Sequence, residues 1–368
     1  MKLLLLSRYD RLGASSRLRM LQYVPFLRQQ GMEVTVRPLL SNSYLEALYR
    51  TGRRPPKLLI AAYTRRILTL LALREHDLLW IEKELLPWFP AWFERLLMGR
   101  RARYVVDYDD ATFHHYDLHP NPAARSLYRG KIDALMRHAT LVVAGNAYLA
   151  DRAGHAGSAQ VTLLPTVVDL SRYPAIPAAR TEESPFTIGW MGSPSTLRYL
   201  DAIRPALAEV CRLPGVRIVI VGAGPADWPD LKATFHPWSE LTEIDELRSF
   251  DIGIMPLDNT PWERGKCGYK LIQYMACGLP VVASPVGVNA QIVKNGVTGI
   301  LADTTEKWVD ALNRLRQNPG LRQAMGRQGR RDVEERYCLE RTGPLLMQWL
   351  EQIQGGRQPT PTGPDGNP

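Results

Sequence analysis

Lys266, Lys270 and Gln273 stand at i, i+4 and i+7, a spacing that puts three side chains on one face of a helix. Gly265, Gly268 and Tyr269 lie among them. Two ammonium groups at a helix start, behind two glycines, make a site for an anion, and a diphosphate fits it. Two lysines so close also call for a counter-anion. Leu271, Ile272 and Met275 fall toward the core. Gly278 and Pro280 stop the helix, a short apolar run follows, and Ser284-Pro285-Val286-Gly287-Val288-Asn289 forms the next loop.

A second constellation is Asp107-Tyr108-Asp109-Asp110, trailed by Thr112, His114 and His115. Carboxylates at this density repel, so at least one titrates high unless a cation or several donors stand nearby. Asp109 and Asp110 are thus candidate catalytic groups beside Lys266 and Lys270, with helix capping as the plainer use of either aspartate. A third group is Gly192-Ser193-Pro194-Ser195-Thr196 with Arg198. Ser193 fits an N-cap and Pro194 a first helical position, which leaves backbone N–H groups for a phosphate. Gly13 opens the loop after the first apolar run to close backbone approach, and Ser15 or Ser16 fits a helix cap. Gly222-Ala223-Gly224-Pro225 lacks a third glycine and reads as a turn. Trp238 is placed to stack on a nucleobase or to pack.

These loops need a scaffold, and the apolar pattern supplies one. Strands are expected at 2–7, 32–37, 78–81, 104–106, 141–144 and 161–164, and again at 186–191, 216–221, 252–255 and 281–283. Helical patterns lie between and after them, at 16–30, 123–138, 197–211, 269–277, 307–314, 323–336 and 345–354, and Asn146 is a cap for the helix that follows it. Short buried strands alternating with helices give an α/β class, with two Rossmann-like doubly wound parallel-sheet domains in series. In such sheets ligands sit at the carboxyl ends of strands, where every loop named above falls.

With 368 residues, 45% of them hydrophobic, the chain is long enough for two full cores. The opening Met1-Lys2-Leu3-Leu4-Leu5-Leu6-Ser7-Arg8 has too short an apolar run for a signal peptide and reads as a buried strand. No apolar run reaches the ~20 residues of a membrane span. Cys211, Cys267, Cys277 and Cys338 show no metal-ligand spacing and read as reduced thiols of a cytoplasmic protein. Charge is uneven: residues 1–180 carry 26 Lys+Arg against 15 Asp+Glu, the remainder 20 against 22. An anionic membrane, a phosphorylated acceptor, a nucleic acid or plain arginine richness would each account for the basic half.

The stretch 251–302 (Asp-Ile-Gly-Ile-Met-Pro-Leu, then Lys-Cys-Gly-Tyr-Lys-Leu-Ile-Gln-Tyr-Met-Ala-Cys-Gly-Leu-Pro-Val-Val-Ala-Ser-Pro-Val-Gly) resembles family 4 glycosyltransferases, the glycosyl transferase group 1 type with the GT-B fold. Asn289, Asn295-Gly296-Val297-Thr298-Gly299, Thr166-Val167-Val168-Asp169 and Gly13-Ala14-Ser15-Ser16-Arg17-Leu18-Arg19 extend the likeness over nearly the whole chain. Departures mark a divergent subgroup. The family's Glu-x7-Glu is Gly265 and Gln273 here, Lys266 and Lys270 are extra, and Asp109 stands in the region of the family's first-domain histidine. Asp107-x-Asp109 also matches, weakly, the metal-holding pair of the other large glycosyltransferase fold.

The resemblance implies two domains facing across a cleft: 1–175 on the acceptor side, a linker at 176–185, and a nucleotide-sugar domain at 186–336. A helix at 337–354 returns to the first domain, and 355–368 forms a disordered tail. It implies transfer of a sugar from a nucleotide-diphosphate donor, a UDP- or GDP-sugar, with retention and without a required metal. The donor contacts expected are Gly13, Gly192, Ser193, Thr196, Arg198, Trp238, Gly265, Gly268, Tyr269, Gln273, Gly287, Val288 and Asn289. The acceptor is a saccharide or lipid-linked hydroxyl in cell-surface polysaccharide, lipopolysaccharide or glycolipid synthesis, met at the inner face of the cytoplasmic membrane. Basic-aromatic segments at 50–74 and 87–103 suit an anionic bilayer, or else helices that pack their apolar faces on their own sheet. No nucleic-acid module is recognised. A non-catalytic nucleotide-sugar-binding protein, or an epimerase or phosphorylase of the same fold, is the alternative.

Overall fold

The computed structural model describes residues 1–99, 102–174, 185–226 and 228–358. The expected linker, except residue 185, lies outside the described residues, as do 359–368 of the expected tail and Arg100 and Arg101. The chain forms two compact units. Unit 1 takes Met1–Thr166, Gly265–Cys267 and the described residues from Glu340 onward; unit 2 takes the described residues of Val167–Arg264 and Gly268–Leu339.

Unit 1 is built on six parallel strands: β1 (Lys2–Leu6), β2 (Glu33–Val36), β3 (Leu78–Glu82), β4 (Tyr104–Tyr108), β5 (Leu141–Ala144) and β6 (Val161–Leu163). They lie in the order β2-β1-β3-β4-β5-β6. Leu3 to Leu6 are each at most 1% exposed, because a parallel strand covered by helices on both faces needs apolar side chains on both sides. The C-terminal helix Leu339–Gln354 belongs to this unit from Glu340 onward. Its Leu346, Trp349, Leu350 and Ile353 are buried, and Thr342 shares a 2.8 Å hydrogen bond with Tyr23 Oη.

Unit 2 repeats the scheme with β7 (Phe186–Met191), β8 (Val216–Val221), β9 (Ala233–His236), β10 (Ile252–Met255), β11 (Val281–Ala283) and β12 (Gly299–Leu301). Their order is β12-β11-β10-β7-β8-β9, again all parallel. Both sheets are doubly wound α/β, the class the pattern of short apolar runs gave.

Three expected helices are broken, each at an identifiable residue. The helix expected at 16–30 is Ala14–Arg19, a 3₁₀ turn at Leu21–Tyr23, then Val24–Gln29. Pro25, in the first turn of the last piece, has no N–H with which to continue an α ladder from Leu21. The one at 197–211 is a 3₁₀ run Pro194–Ile203 followed by Arg204–Cys211, and Pro205 removes the bond to Asp201 in the same way. The one at 123–138 splits at Gly130 into Pro122–Tyr128 and Lys131–His138. Asn146 caps as expected, accepting from the Leu149 N–H at 3.0 Å.

Candidate functional site

In a parallel sheet all carboxyl ends point to one edge, so the residues just past β1, β3 and β4 meet there in unit 1. Three consecutive charged residues stand at the end of β3, Glu82 within it and Lys83 and Glu84 just past it, and each is held in its own way. Glu82, fully buried, accepts from the Ser15 hydroxyl at 2.9 Å, the Ser16 hydroxyl at 2.5 Å and the Arg8 N–H at 2.7 Å. The Lys83 ammonium lies 2.8 Å from Asp109 and 3.3 Å from Asp110, and donates to Ser15 Oγ at 3.1 Å. Glu84 pairs with Lys131 at 2.6 Å and Arg8 at 3.2 Å and accepts from Tyr116 Oη at 2.7 Å. The strand's alternation would send Lys83 to the face opposite Glu82. Instead Lys83 takes φ +62°, a left-handed conformation that costs a non-glycine residue about 1–2 kcal/mol.

Asp107, also fully buried, forms a 2.6 Å ion pair with Arg19, whose guanidinium additionally donates to the Leu164 carbonyl at 2.5 Å. Burial pushes the Asp107 carboxyl up to about 6 in spite of Arg19. Burial acts on Asp109 in the same sense, but Lys83, the Ser15 hydroxyl and Arg19 outweigh it and hold that carboxyl below its ordinary range. The crowded carboxylates are thus separated in behaviour by which cation each one faces. Asp107 is committed to Arg19, which removes it from the Asp107-x-Asp109 metal-pair reading. Among the described residues, no three His, Cys, Asp or Glu side chains are grouped to hold a metal ion.

Two expectations for this edge are corrected. Ser15 and Ser16 do not cap the helix Ala14–Arg19. Gly13 is the N-cap residue, and the two serines sit in the first turn, turned toward Glu82. Gly13 makes room for protein: a Cβ there would lie 2.2 Å from Tyr9 Cβ. Lys266 does not share a helical face with Lys270 and Gln273. Gly268 takes φ +66° and the helix begins at Tyr269, so Lys266 stands ahead of it. Lys266 belongs to unit 1 and lies 3.5 Å from Asp110. Asn146 Nδ2 holds that segment by donating to the carbonyls of Gly265 and Lys266, both at 3.0 Å. A Cβ on Gly265 would lie 2.4 Å from Ala111 Cβ and 2.8 Å from Ala111 N. A glutamate therefore has no room at 265 in this chain.

Unit 2 gathers a second group at the carboxyl ends of β7 and β8. The Lys270 ammonium sits 4.3 Å from the centroid of the Trp190 ring, a cation–π distance. Gly192 admits it: a Cβ at 192 would lie 2.7 Å from Lys270 Nζ. Gly222, at φ +88°, brings its backbone against Gly192, and Trp238 Cβ is the next neighbour. Trp238 is half-buried and donates to Glu243 at 3.0 Å. Ser193 does not cap with its side chain; its hydroxyl shares hydrogen bonds with Ser195 at 3.0 Å and Thr196 at 3.4 Å at the start of a 3₁₀ rather than an α-helix. Arg198 is exposed, its guanidinium 5.0 Å from the Tyr199 ring and 3.2 Å from Glu263. Glu263 is buried and also accepts from Tyr199 at 2.6 Å and from Thr260, so its oxygens are engaged.

The remaining expected donor contacts divide by burial. Tyr269 and Val288 are half-buried and Gly287 is exposed, its φ of +53° tucked against Arg264. Gln273 is buried and donates to Tyr173 Oη at 3.2 Å. Asn289 is fully buried; its Nδ2 donates to the Ser284 carbonyl at 3.2 Å. Sequence reasoning missed Glu82, Lys83, Glu84, Arg8 and Arg19. The available signal was Glu-Lys-Glu at the end of the apolar run Leu78-Leu79-Trp80-Ile81, where a buried strand reaches its functional edge.

The profile of the family described as Glycosyl transferases group 1 matches residues 186–318. The D-inositol 3-phosphate glycosyltransferase of Saccharomonospora viridis is 29% identical over 167 residues, 39% of this chain and 37% of that protein. The enzyme of the same name from Segniliparus rotundus is 28% identical over 229 residues, 54% of this chain and 48% of that protein. The chain thus matches less than half the length of each of these relatives. Over nearly its whole length it superposes on a sucrose-phosphate synthase from Thermosynechococcus elongatus (TM-score 0.73, 16% identity, 97% of this chain, 100% of that one). Anabaena HepE in complex with UDP-glucose is similar too (TM-score 0.69, 15% identity, 96% and 100%). The chain accordingly has the GT-B fold, and its residues 186–318 match the glycosyl transferases group 1 profile.

Proposed function

We propose that this protein transfers a sugar from a nucleotide-diphosphate donor to an acceptor hydroxyl. The observation that carries the reading is Lys270, an ammonium fixed over Trp190 at the Gly192–Gly222 edge of a sheet that the glycosyl transferases group 1 profile matches. A cation held before the ligand arrives stabilises the charge that develops on a leaving diphosphate without reorganising. Arg198 and the backbone after Ser193 supply further positive potential at the same edge. UDP is the favoured nucleotide, because a structural neighbour holds UDP-glucose. Retention, with a chain-supplied cation in place of a metal, follows the same family reading, and the donor contacts are the half-buried and exposed members of the set described above. Asp109 and Asp110 supply the acceptor-side carboxylates.

The acceptor is a saccharide or lipid-linked hydroxyl approached from an anionic membrane surface. Support comes from the helices Pro56–Leu71 and Ala91–Met98 of unit 1, which leave Ile60, Leu68, Leu71, Trp92 and Leu96 between 61% and 70% exposed, with Lys57 and Arg65 exposed on the first helix. Apolar residues interleaved with cations suit the boundary of an anionic bilayer. Among the described residues no helix is long and apolar enough to cross a membrane.

Incubation with UDP-, GDP-, CDP- and TDP-sugars, scored by product and by thermal shift, tests the donor reading; a UDP-sugar is expected to be consumed. Binding without consumption would favour the non-catalytic reading, which the lack of a carboxylate at 265 motivates. In vesicle sedimentation, the protein is expected to prefer anionic over neutral liposomes, and Trp92→Ala with Leu96→Ala to weaken that preference. Equal partition into both would remove the membrane proposal.

A further inference from the structure

We propose that Lys83 is a positioning residue of the unit 1 site: it closes Asp109 into an ion pair and leaves Asp110 as the carboxylate that meets the acceptor hydroxyl. This inference rests on the glycosyl-transfer reading. The two aspartates are neighbours in sequence but differ in what they have left to offer. One oxygen of Asp109 faces the Lys83 ammonium at 2.8 Å, and the other lies 2.7 Å from the Ser15 hydroxyl, whose single proton it shares with Glu82. Its side chain is only 12% exposed. Asp110 is 27% exposed, and its two oxygens face Lys83 at 3.3 Å and Lys266 at 3.5 Å. Both distances exceed the ~2.7–2.9 Å of a tight charged hydrogen bond, so Asp110 keeps acceptor capacity for a substrate O–H.

The left-handed backbone at Lys83 is what makes this division. Extended backbone at 83 would turn the ammonium away from the face of Glu82 and Ser15. The positive φ brings it back between the two aspartates, in a position where few side chains are tolerated. Backbone strain of this kind is characteristic of functional sites when the surroundings over-determine it. Here they do: the Lys83 N–H donates to the Asp107 carbonyl at 2.9 Å, and Glu82 and Glu84 on either side are both anchored. The charged and titratable groups facing the aspartates are Lys83 just past β3, Arg19 from the helix after β1, Asp107 on β4 itself, His115 from the segment after β4, and Lys266 and Cys267 from the segment Gly265–Cys267.

The test compares Asp109→Asn, Asp110→Asn, Lys83→Met and Lys83→Arg with the wild type, using the donor that turns over and its acceptor. Steady-state constants for each substrate are read across the pH range in which the protein stays folded. Asp110→Asn is expected to lower transfer about 10²-fold, mainly through the acceptor, with the KM for donor unchanged. Lys83→Met removes the cation that faces both aspartates and holds Asp109 ionised, so the Asp109 carboxyl protonates more easily. The acid limb of kcat/KM then moves to higher pH, and Lys83→Arg returns it toward the wild-type position. A Lys83→Met profile whose acid limb stays in place would overturn the inference while the transfer reading stands. So would an Asp109→Asn variant that damages acceptor use more than Asp110→Asn. A wild type that consumes no nucleotide-sugar overturns the transfer reading and this inference with it.

Discussion

Lys270→Ala is expected to lower kcat/KM for the nucleotide-sugar donor by about 10²–10³-fold, the effect of removing one preorganised electrostatic group from a leaving-group site. The ammonium is not a mobile surface charge. It lies over Trp190, itself buried, and Gly192 leaves just enough room for it. The geometry therefore exists before any ligand binds, and removing it deletes charge at a fixed point. Stability should change little, by about 0.5–2 kcal/mol for the lost cation–π contact. Lys266→Ala should act differently, raising acceptor rather than donor constants, because Lys266 faces Asp110 in unit 1. Donor kinetics within about threefold of wild type for Lys270→Ala, measured alongside thermal unfolding, would sink the assignment of this lysine to the diphosphate.

Arg19→Met is expected to destabilise unit 1 by about 3–5 kcal/mol, the range for stranding one member of a buried ion pair. Arg19 and Asp107 are 1% and 0% exposed, and no water replaces the lost guanidinium without entering the core. The Leu164 carbonyl loses its donor as well. The double variant Arg19→Met/Asp107→Leu should recover most of the loss, since an apolar pair has no charge to desolvate. The pH dependence has a definite sign. Burial raises the folded-state pKa of Asp107 to about 6, above that of an unfolded aspartate, so its contribution to stability is present at low pH and falls away as pH rises toward 6. Without Arg19 the carboxyl stays protonated to still higher pH, and the deficit of the single variant grows as pH rises through about 6. A deficit that is flat with pH, or a double variant no better than the single, would contradict this account of the pair.

The scaffold was legible because its signal is local. Runs such as Leu3-Leu4-Leu5-Leu6 and Val281-Val282-Ala283 declare buried parallel strands on their own, and ten of the twelve described strands were expected. The two missed, β9 and β12, lie at opposite edges of the unit 2 sheet, where one side of the strand is unpaired and polar residues such as Thr234 and His236 are admitted. The helices Asn42–Thr51, Pro56–Leu71 and Ala91–Met98 were not read, since exposed Ile60, Leu68, Trp92 and Leu96 blur the apolar stripe that would have shown them. Of the site, what could be read was residue type at strand ends: the aspartates after β4, the glycines after β7 and β8, and the lysine at the start of Tyr269–Ala276. What could not be read was pairing. That Lys83 rather than Lys266 dominates Asp109 depends on a backbone φ and on β3 lying next to β4, neither of which leaves a mark on the residues nearby.

The three residues Gly265–Cys267 interrupt unit 2 in sequence yet belong to unit 1. This limits how the gene can be shuffled. A crossover that replaced residues 186–336 with those of a related transferase would also import a foreign 265–267. That peptide must leave no Cβ against Ala111, present its carbonyls to Asn146 and bring a lysine to Asp110. A replacement segment carrying glutamate at 265 fails the first of these requirements outright. Chimaeras should therefore work only when residues 108–111 and 146 travel with 265–267, which makes those positions one unit of inheritance although the chain separates them by more than a hundred residues.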